Sequence, residues 1–218
     1  MKSKSNNKIL LMIGSDLRNQ FILSEISKKF KIDAVIYQKR TKKKLSLNKK
    51  NSDLEKKLFF KHFNQREISE KKFFKKIKFN LKNIKNITID EKNLNSNNIK
   101  NFIKEVKPSI VIVYGVGYLK KNIVSILPKN TINVHSGITP KYKGDACNFW
   151  AFYFLEPNNA GATIHFLTQK VDSGPIITQI RPKLEFGDNM HDVTNKSLLI
   201  VAKKLIKLIK ILKIKKIK

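Results

Sequence analysis

Three polar side chains in the second half of the chain, Asn133, His135 and Asp172, are of the types that move protons and stabilise developing charge. Asn133 and His135 are two positions apart and follow an apolar-leaning run, so on a strand both would point to the same face of a sheet. Asp172 lies 172 − 135 = 37 residues beyond the histidine, which leaves room for a helix and a strand between them. The spacing therefore allows a fold to bring the three side chains together.

An amide, an imidazole and a carboxylate suit a reaction in which a proton moves while negative charge develops on an oxygen. A histidine accepts or donates protons near neutral pH, and a neighbouring aspartate stabilises its protonated form. An asparagine amide offers two donors to an oxyanion. No serine or cysteine stands in a nucleophile elbow, so the set favours direct attack by a substrate nucleophile, such as an amine on an acyl carbon. Spacing alone also allows an alternative in which the three are ordinary buried polar residues.

The residues around this set form three ordered motifs: Asn-x-His-x-x-x-x-Pro-x-Tyr-x-Gly from 133 to 144, Gly-x-Thr-x-His from 161 to 165, and Asp-x-Gly-Pro-Ile from 172 to 176. Over about residues 108 to 179 they resemble the folate-dependent formyltransferases. That family includes glycinamide ribonucleotide transformylases, methionyl-tRNA formyltransferases and sugar N-formyltransferases. The resemblance implies a Rossmann-like three-layer α/β sandwich with a mostly parallel sheet. It also implies 10-formyltetrahydrofolate as formyl donor, a primary amine as acceptor, and no metal.

The resemblance also implies roles for individual residues. Asn133 matches the asparagine that binds the formyl oxygen, and His135 matches the histidine that polarises the formyl group and shuttles protons. Asp172 matches the aspartate that pairs with this histidine and helps to carry a proton to the departing folate nitrogen. Two segments match the walls of the folate site. They are Tyr114, Gly115, Val116, Gly117, Tyr118 and Leu119 on one side, and Thr168, Gln169, Lys170 and Val171 on the other.

The acceptor site is expected at the turn after the first strand. Transformylases of glycinamide ribonucleotide have a Gly-rich, Asn-containing loop there that cradles phosphate, whereas this chain reads Gly14-Ser15-Asp16-Leu17-Arg18. A helix N-terminus offers free N–H groups to an anion. Asp16 would repel a phosphate unless it serves only as the N-cap, and Arg18 would partly compensate; an ordinary capped helix is the alternative. We predict as acceptor-binding residues Gly14, Ser15, Arg18, Ser136 and Gly137.

The identity of the acceptor is predicted with alternatives. The stretches 161–168 and 175–179 look closest to the glycinamide ribonucleotide subgroup, so a similar small amine is the leading acceptor. An amino-sugar nucleotide or another amine is the alternative with the same chemistry. A different class is a catalytically inactive relative that uses its basic surface to bind RNA.

The pattern of apolar residues predicts a parallel α/β sheet. The run Lys8 to Ile13 reads as a strand, followed by a Gly-Ser turn, a helix with one apolar stripe, and a second strand from Asp33 to Tyr37. No Gly-x-Gly-x-x-Gly is present, which disfavours a nicotinamide or flavin dinucleotide. The remaining predicted elements are a helix at Asn97 to Val106 and strands at Ser109 to Tyr114, Gly161 to Leu167 and Ile176 to Ile180.

The charge of the chain is strongly basic, at +30 from 46 Lys plus Arg against 16 Asp plus Glu. Such a balance is typical of proteins that bind nucleic acid or acidic membranes. Almost all of it is Lys spread along the whole chain, beside much Asn and Ile, which are residues with AT-rich codons. A solvated basic surface that attracts anionic substrates is therefore the favoured interpretation.

The expected organisation is a basic N-terminal tail (1–7), a catalytic domain (8–195) with a Lys-rich variable segment (about 39–82), and a C-terminal basic amphipathic helix (196–218). Within the variable segment, Phe59, Phe63 and Phe74 suit buried helix positions, and a partner-binding insertion is the alternative. The C-terminal helix is expected to pack on the sheet, with a membrane surface as the alternative. Residues 196–218 are too few for a dedicated tRNA domain.

The other residues and segments carry simpler expectations. No run reaches about 18 apolar residues, so no spanning helix is expected. The first residues, Met1-Lys-Ser-Lys-Ser, lack an apolar signal region, which favours the cytoplasm. His165, on an apolar strand, is predicted to be a packed core histidine, and Cys147 has no disulfide partner. Trp150, with Phe149, Phe152 and Phe154, is predicted to form a helix that packs behind the catalytic strand.

Overall fold

The computed structural model describes residues 7–39, 52–74, 77 and 81–214. The strands within these ranges are β1 (Ile9–Gly14), β2 (Ala34–Lys39), β3 (Lys85–Asp90), β4 (Ile110–Tyr114), β5 (Thr131–His135), β6 (Ala162–Phe166) and β7 (Ile176–Ile180). They form one sheet in the order β3-β2-β1-β4-β5-β6-β7, in which the first five strands pair in parallel and β6 and β7 join antiparallel.

Helices cover both faces of this sheet. They are α1 (Leu17–Ser27), α2 (Asp53–Phe74), α3 (Asn97–Val106), α4 (Lys121–Val124), α5 (Cys147–Tyr153) and α6 (Met190–Ile214), with short 3-10 turns at Glu91–Asn93 and Pro157–Asn159. None of the helices in the described ranges is long and apolar enough to span a bilayer.

The two faces of the sheet bury separate cores because side chains alternate along each strand. On β1, Ile9, Leu11 and Ile13 join the core under α1 and α6, whereas Leu10 and Met12 join the core under α3. All five side chains are at most 1% exposed. Fully apolar strands of this kind are typical of parallel sheets that are covered on both sides. The predicted three-layer α/β sandwich with a mostly parallel sheet is confirmed.

The strand order reverses between β1 and β4, which lie side by side at the middle of the sheet. In open α/β sheets, ligands bind in the crevice that such a reversal opens at the carboxyl ends of the strands. Gly14 ends β1 and Gly115 follows β4 there, and a β-carbon on Gly14 would overlap the Gly115 carbonyl oxygen. Gly14 is therefore required for this close approach of the backbone, whereas Gly115 is required by its left-handed φ of 65° and by Asn19, which a β-carbon there would overlap.

The C-terminal helix is longer than the sequence predicts. The helix α6 begins at Met190 and so crosses the expected boundary between 195 and 196. Its first turns are tied to α2, because Asn195 donates to the Ser69 hydroxyl at 2.9 Å. Its apolar side chains, such as Leu205, pack into the core as expected.

Two predictions about aromatic residues are wrong. In α5, Trp150 and Phe154, just after the helix end, are 43% and 58% exposed, so they do not pack behind the catalytic strand. This helix is instead held by the buried Asn148, whose side chain exchanges two hydrogen bonds with the backbone of Gly161. In α2, Phe74 is buried as predicted, but Phe63 is 41% exposed. The remaining residues of the variable segment, 40–51, 75, 76 and 78–80, lie outside the described residues.

Candidate active site

Strand β5 places Asn133 and His135 on one face at the carboxyl edge of the sheet. Its antiparallel pairing with β6 sets Asn133 opposite His165 and His135 opposite Thr163. Asp172 comes from the loop between β6 and β7, where its backbone is left-handed with φ of 43°. The three predicted residues therefore meet at one place, although Asp172 lies 37 positions beyond His135 in the sequence.

The Asp172 carboxylate is the centre of this arrangement. One oxygen accepts from the Asn133 amide at 3.1 Å, and the other lies 3.2 Å from Nδ1 of His135. The backbone N–H of Gly144 donates to this second oxygen at 3.0 Å. Each carboxylate oxygen is thus fixed, which orients the carboxylate toward the histidine.

His165 also belongs to this group, and its prediction as a simple core residue was incomplete. It is 1% exposed, as expected, but its Nε2 lies 3.1 Å from the Asn133 amide nitrogen and 3.4 Å from Asp172. Its Nδ1 donates to the carbonyl of Phe166 at 2.8 Å. Because a carbonyl only accepts, this bond places a proton on Nδ1 and directs Nε2 to the polar group.

The two ring nitrogens of His135 both face oxygen atoms. Nδ1 faces Asp172, and Nε2 lies 3.0 Å from the carbonyl oxygen of Tyr142. Burial lowers the pKa of His135 below its usual 6.5, and this outweighs the opposite influence of the Asp172 charge and the Tyr142 carbonyl. The imidazole is therefore neutral at pH 7. When the ring is protonated, both of its N–H groups can donate a hydrogen bond, one to Asp172 and one to the Tyr142 carbonyl.

Asp172 is held ionised. Burial raises the pKa of this carboxyl, but its interactions with the imidazoles of His165 and His135 and the hydrogen bond from the Gly144 N–H more than offset burial. The pKa of Asp172 therefore lies below its usual 3.8, and the residue carries a negative charge at any pH near neutrality. A neutral base beside a fixed carboxylate is an arrangement suited to proton transfer.

The interaction of His165 with this group leads to a testable prediction. We expect His165→Asn to lower kcat by about 10- to 100-fold, because the Asn133 amide and Asp172 would lose a partner that fixes their positions. Asparagine is chosen since its amide can still donate to the Phe166 carbonyl. Steady-state kinetics would measure the change, with His62→Asn in α2 as the control, since His62 is a half-buried histidine that contacts Phe149 and His191 and not Asn133 or Asp172. Unchanged kcat in His165→Asn would show that the residue only fills the core.

Gly174 closes the loop that carries Asp172 against β6. A β-carbon there would overlap the carbonyl oxygen of Phe166, the same oxygen that fixes His165. We expect Gly174→Ala to push the loop away from β6, to lower kcat about tenfold, and to reduce the free energy of unfolding by about 1–3 kcal/mol. Kinetics and urea denaturation would measure the two effects.

Gly187→Ala is the matched control for this prediction. Gly187 has φ of 84° and no heavy atom within 4 Å of a β-carbon, so alanine there strains the backbone without meeting a neighbour. It should cost about 1 kcal/mol and leave kcat unchanged. Equal kinetic effects in the two variants would contradict the proposed link between Gly174 and the catalytic group.

The two segments predicted to hold folate lie across from each other. The Tyr118 hydroxyl donates to the Gln169 carbonyl at 3.3 Å, which joins one segment to the other. Leu119 is buried, and Val116 packs on the same core as Leu167. Gly115 has φ of 65° and Gly117 donates its N–H to the Gln38 side chain at 2.8 Å. The two glycines would let a flat ring approach the backbone, whose N–H and C=O groups could meet polar ring edges, while the apolar side chains could contact the faces of the ring.

The remaining residues predicted to bind folate lie at the rim of the space between these two segments. Lys170 and Val171 are exposed, and the Thr168 hydroxyl donates to the carbonyl of Lys170 at 3.2 Å, which shapes the loop. Tyr114 is buried, and its hydroxyl is 3.5 Å from that of Ser136. The contribution of Tyr114 to folate binding would therefore come from its backbone.

The predicted acceptor residues fall into two groups. Gly14, Ser15 and Arg18 lie at the turn between β1 and α1, with Asp16 at the N-cap position but making no side-chain capping bond. Ser136 directly follows His135. Gly137 is buried, and a β-carbon there would lie 2.5 Å from both Cys147 and the His135 ring. Close packing beside the catalytic ring therefore explains this glycine, and its part in acceptor binding stays a prediction.

The cysteine beside this group has a strongly raised pKa. The Cys147 side chain is buried, and its burial, together with nearby Asp172 and Asp145, raises the pKa of the thiol to about 12. Within the described ranges no three His, Cys, Asp or Glu side chains are arranged to hold a metal ion.

Comparisons with known proteins agree with this geometry. The sequence matches the formyl transferase family over residues 8–209. It is 32% identical over 111 residues to a methionyl-tRNA formyltransferase of Borreliella afzelii (strain PKo), covering 50% of this chain and 35% of that protein. It is 35% identical over 98 residues to the mitochondrial formyltetrahydrofolate deformylase 2 of Arabidopsis thaliana, covering 45% of this chain and 30% of that protein. The match thus spans about a third of the length of these curated relatives.

A solved structure has the same fold. The phosphoribosylglycinamide formyltransferase of Anaplasma phagocytophilum superposes with a TM-score of 0.65 at 19% identity, covering 94% of this chain and 86% of that one. Since the family match extends over nearly all of the chain, and the motif residues meet at the carboxyl edge of the sheet, the chain belongs to the formyl transferase family.

Proposed function

We propose that the protein transfers a formyl group from 10-formyltetrahydrofolate to the primary amine of a small acceptor. The observation that carries this proposal is the meeting of Asn133, His135 and Asp172 at the carboxyl edge of the sheet. Beside them, the segments 114–119 and 168–171 offer a place with the glycines and apolar side chains that a pterin ring requires.

The proposed reaction requires a base that is neutral before attack and stable once protonated. The acceptor's neutral amine attacks the formyl carbon, and the oxygen of that group gains negative charge. The Asn133 amide and the His135 ring stabilise this charge. His135 then takes the proton lost by the amine, and Asp172 stabilises the resulting imidazolium. A new C–N bond forms to the acceptor, the bond from the formyl carbon to N10 of the folate breaks, and the proton passes to N10.

The Asn133 amide has to change partners during this reaction. Its nitrogen lies 3.1 Å from both Asp172 and His165, so both of its donors are directed into the polar group. A developing oxyanion competes for one of these donors and is charged, which makes its hydrogen bond the stronger. The hydrogen bond from the amide to the imidazole nitrogen of His165 is weaker than the one to the charged carboxylate of Asp172. We therefore expect the amide to release His165 and to keep Asp172.

We propose an amine resembling glycinamide ribonucleotide as the leading acceptor. This finer proposal is supported by the stretches 161–168 and 175–179 and by a fold shared with the Anaplasma enzyme. The different residues at the turn after β1 make an amino-sugar nucleotide the alternative with the same chemistry.

The test is to follow release of tetrahydrofolate from 10-formyltetrahydrofolate with a panel of amines, including glycinamide ribonucleotide and amino-sugar nucleotides. Release that requires one acceptor, and that is absent in His135→Ala, would support the proposal and identify the substrate. Release without any amine would indicate a hydrolase. Neither turnover nor binding of the folate would overturn the proposal, and RNA binding that weakens with salt would then favour the basic RNA-binding alternative.

A further inference from the structure

The loop between β5 and α5 makes a hydrogen bond to each side chain of the His135–Asp172 pair. The carbonyl oxygen of Tyr142 lies 3.0 Å from Nε2 of His135, and the backbone N–H of Gly144 donates to Asp172 at 3.0 Å. The backbone N–H of Tyr142 donates in turn to the Ile138 carbonyl at 2.9 Å, which closes the loop into a turn. The position of this loop therefore sets a contact on both members of the pair.

The carboxylate of Glu156, just beyond the end of α5, holds this loop from the other side. The Tyr142 hydroxyl donates to its Oε2 at 2.6 Å. The Lys141 ammonium donates to its Oε1 at 2.7 Å, and the Asn159 amide donates to Oε2 at 3.2 Å. The backbone N–H of Glu156 donates to the carbonyl of Ala151 in α5 at 2.8 Å. The carboxylate is thus fixed to the helix, and it gives the phenol of Tyr142 one defined position.

The bond between Tyr142 and Glu156 joins a neutral phenol to a charged carboxylate. Hydrogen bonds from Lys141 and Tyr142 lower the pKa of Glu156 below its usual 4.5, and the bond to Glu156 raises the pKa of Tyr142 to about 12. A hydrogen bond of this charge-assisted kind is shorter and stronger than one between neutral groups. The Tyr142 ring also packs on a small core that includes Ala151. Ring and hydroxyl together therefore anchor the loop beside His135.

The carbonyl of Tyr142 is fully used only when His135 is protonated. A neutral imidazole has one N–H, so it can donate either to Asp172 or to this carbonyl. The protonated ring has an N–H on each nitrogen and satisfies both oxygen atoms. Two other charged groups act on the ring, namely Asp145 from the same loop, which favours its protonation, and His165 from β6, which opposes it. The carbonyl therefore stabilises the form that His135 takes after it has accepted a proton.

We propose that Glu156 is a positioning residue for the reaction. Through the Tyr142 hydroxyl it holds the Tyr142 carbonyl at the place where the imidazolium of His135 donates from Nε2. This inference rests on the proposed function, in which His135 takes the proton lost by the attacking amine. Asp172 then receives one N–H of the charged ring, and the carbonyl receives the other. A small displacement of the loop weakens the second bond and raises the barrier of the chemical step.

The experiment compares Tyr142→Phe, Glu156→Ala and Glu156→Gln with Lys141→Ala as the matched control. Lys141→Ala removes another partner of Glu156 and leaves the bond from the Tyr142 hydroxyl in place. We expect Tyr142→Phe and Glu156→Ala to lower kcat about 3- to 10-fold, with the KM values of folate and amine within about twofold of the parent. Glu156→Gln should keep most of the activity, because its amide oxygen still accepts from the hydroxyl.

The alternative is that Glu156 only ties the loop to α5. In that case Tyr142→Phe and Glu156→Ala would lower the melting temperature and leave kcat unchanged, which would overturn the inference. Equal losses of kcat in Lys141→Ala would also overturn it, because that variant keeps the bond from the tyrosine.

The titration of His135, followed by proton NMR, is a readout that does not depend on turnover. The chain has four histidines, and comparison with His135→Asn identifies the resonance of this ring. The Tyr142 carbonyl raises the pKa of His135, so its loss from Nε2 should move the midpoint further below 6.5. We expect this shift in Tyr142→Phe and in Glu156→Ala, but not in Lys141→Ala. Tyr142→Phe removes no charge, and the neighbouring Cys147 thiol, with a pKa of about 12, stays neutral.

The two readouts separate this inference from the proposed function. A midpoint that falls as expected, in a protein that turns over no amine, would overturn the proposed function and keep the positioning of His135 by Glu156. Unmoved midpoints in both Tyr142→Phe and Glu156→Ala would overturn the inference, whatever the change in kcat.

Discussion

His135→Asn should lower kcat by about 10⁴-fold and leave the fold intact. The His135 imidazole faces the Asp172 carboxylate with Nδ1 and the Tyr142 carbonyl with Nε2, and burial lowers its pKa below 6.5, so the ring is neutral and able to accept a proton at pH 7. Asparagine keeps an amide near the position of Nδ1, so the buried carboxylate retains a partner. It cannot accept the proton of the attacking amine, and the loss therefore falls on the chemical step.

Circular dichroism, thermal denaturation and folate binding would accompany the kinetics of His135→Asn. We expect an unchanged fold and a dissociation constant for the folate within about threefold of the parent, since the segments proposed to hold the ring are not altered. Lys141→Ala, an exposed residue in the same β5–α5 connection, is the control. If His135→Asn kept more than a tenth of the parent's kcat, the histidine would not be the proton acceptor.

The sequence predicts the catalytic strand well because its information is local. Asn133 and His135 alternate on one strand, so a common face follows from the pleat alone. The surrounding strands were recognisable for the same reason, since buried parallel strands are short continuous apolar runs. The observed bounds of these strands differ from the predicted ones by at most two residues at either end.

The part played by His165 depends on strand pairing that no local pattern contains. Its neighbours Ile164 and Ala162 are fully buried, which is also how a simple core histidine would look. Only the antiparallel register of β5 and β6 sets it opposite Asn133. A signal was available in its type, because a histidine inside an apolar strand needs polar partners for both nitrogens.

Arg66 illustrates the same limit over a longer distance. It lies 50 positions from Asp16 in a helix whose sequence is dominated by lysine and phenylalanine, and that composition hides a specific ion pair. The scarcity of arginine in the chain was the one signal that could have marked it. The exposed aromatics of α5 show the converse error, since a helix of seven residues has too short a face to bury four rings.

Asp172→Asn should lower kcat by about 10³-fold while the protein folds normally. The amide that replaces the carboxylate can still accept the Gly144 N–H with its oxygen, so the loop keeps its anchor. The imidazolium formed on His135 would lose the negative charge that stabilises it. The loss is smaller than for His135→Asn, because a neutral base remains in place to take the proton.

The pH dependence gives this variant a signature that a merely structural residue would not produce. In the parent, kcat/KM should fall below the lowered pKa of His135, at a pH under 6.5, since the protonated ring cannot accept a proton. The Asp172 charge raises the pKa of His135, so its removal must lower that pKa further and move the acid limb to a still lower pH. Rate measurements from pH 4.5 to 8 would detect the shift. A limb that moved to higher pH, or that stayed in place, would mean that Asp172 and His135 are not electrostatically coupled during the reaction, and the carboxylate would then act only by shaping the loop.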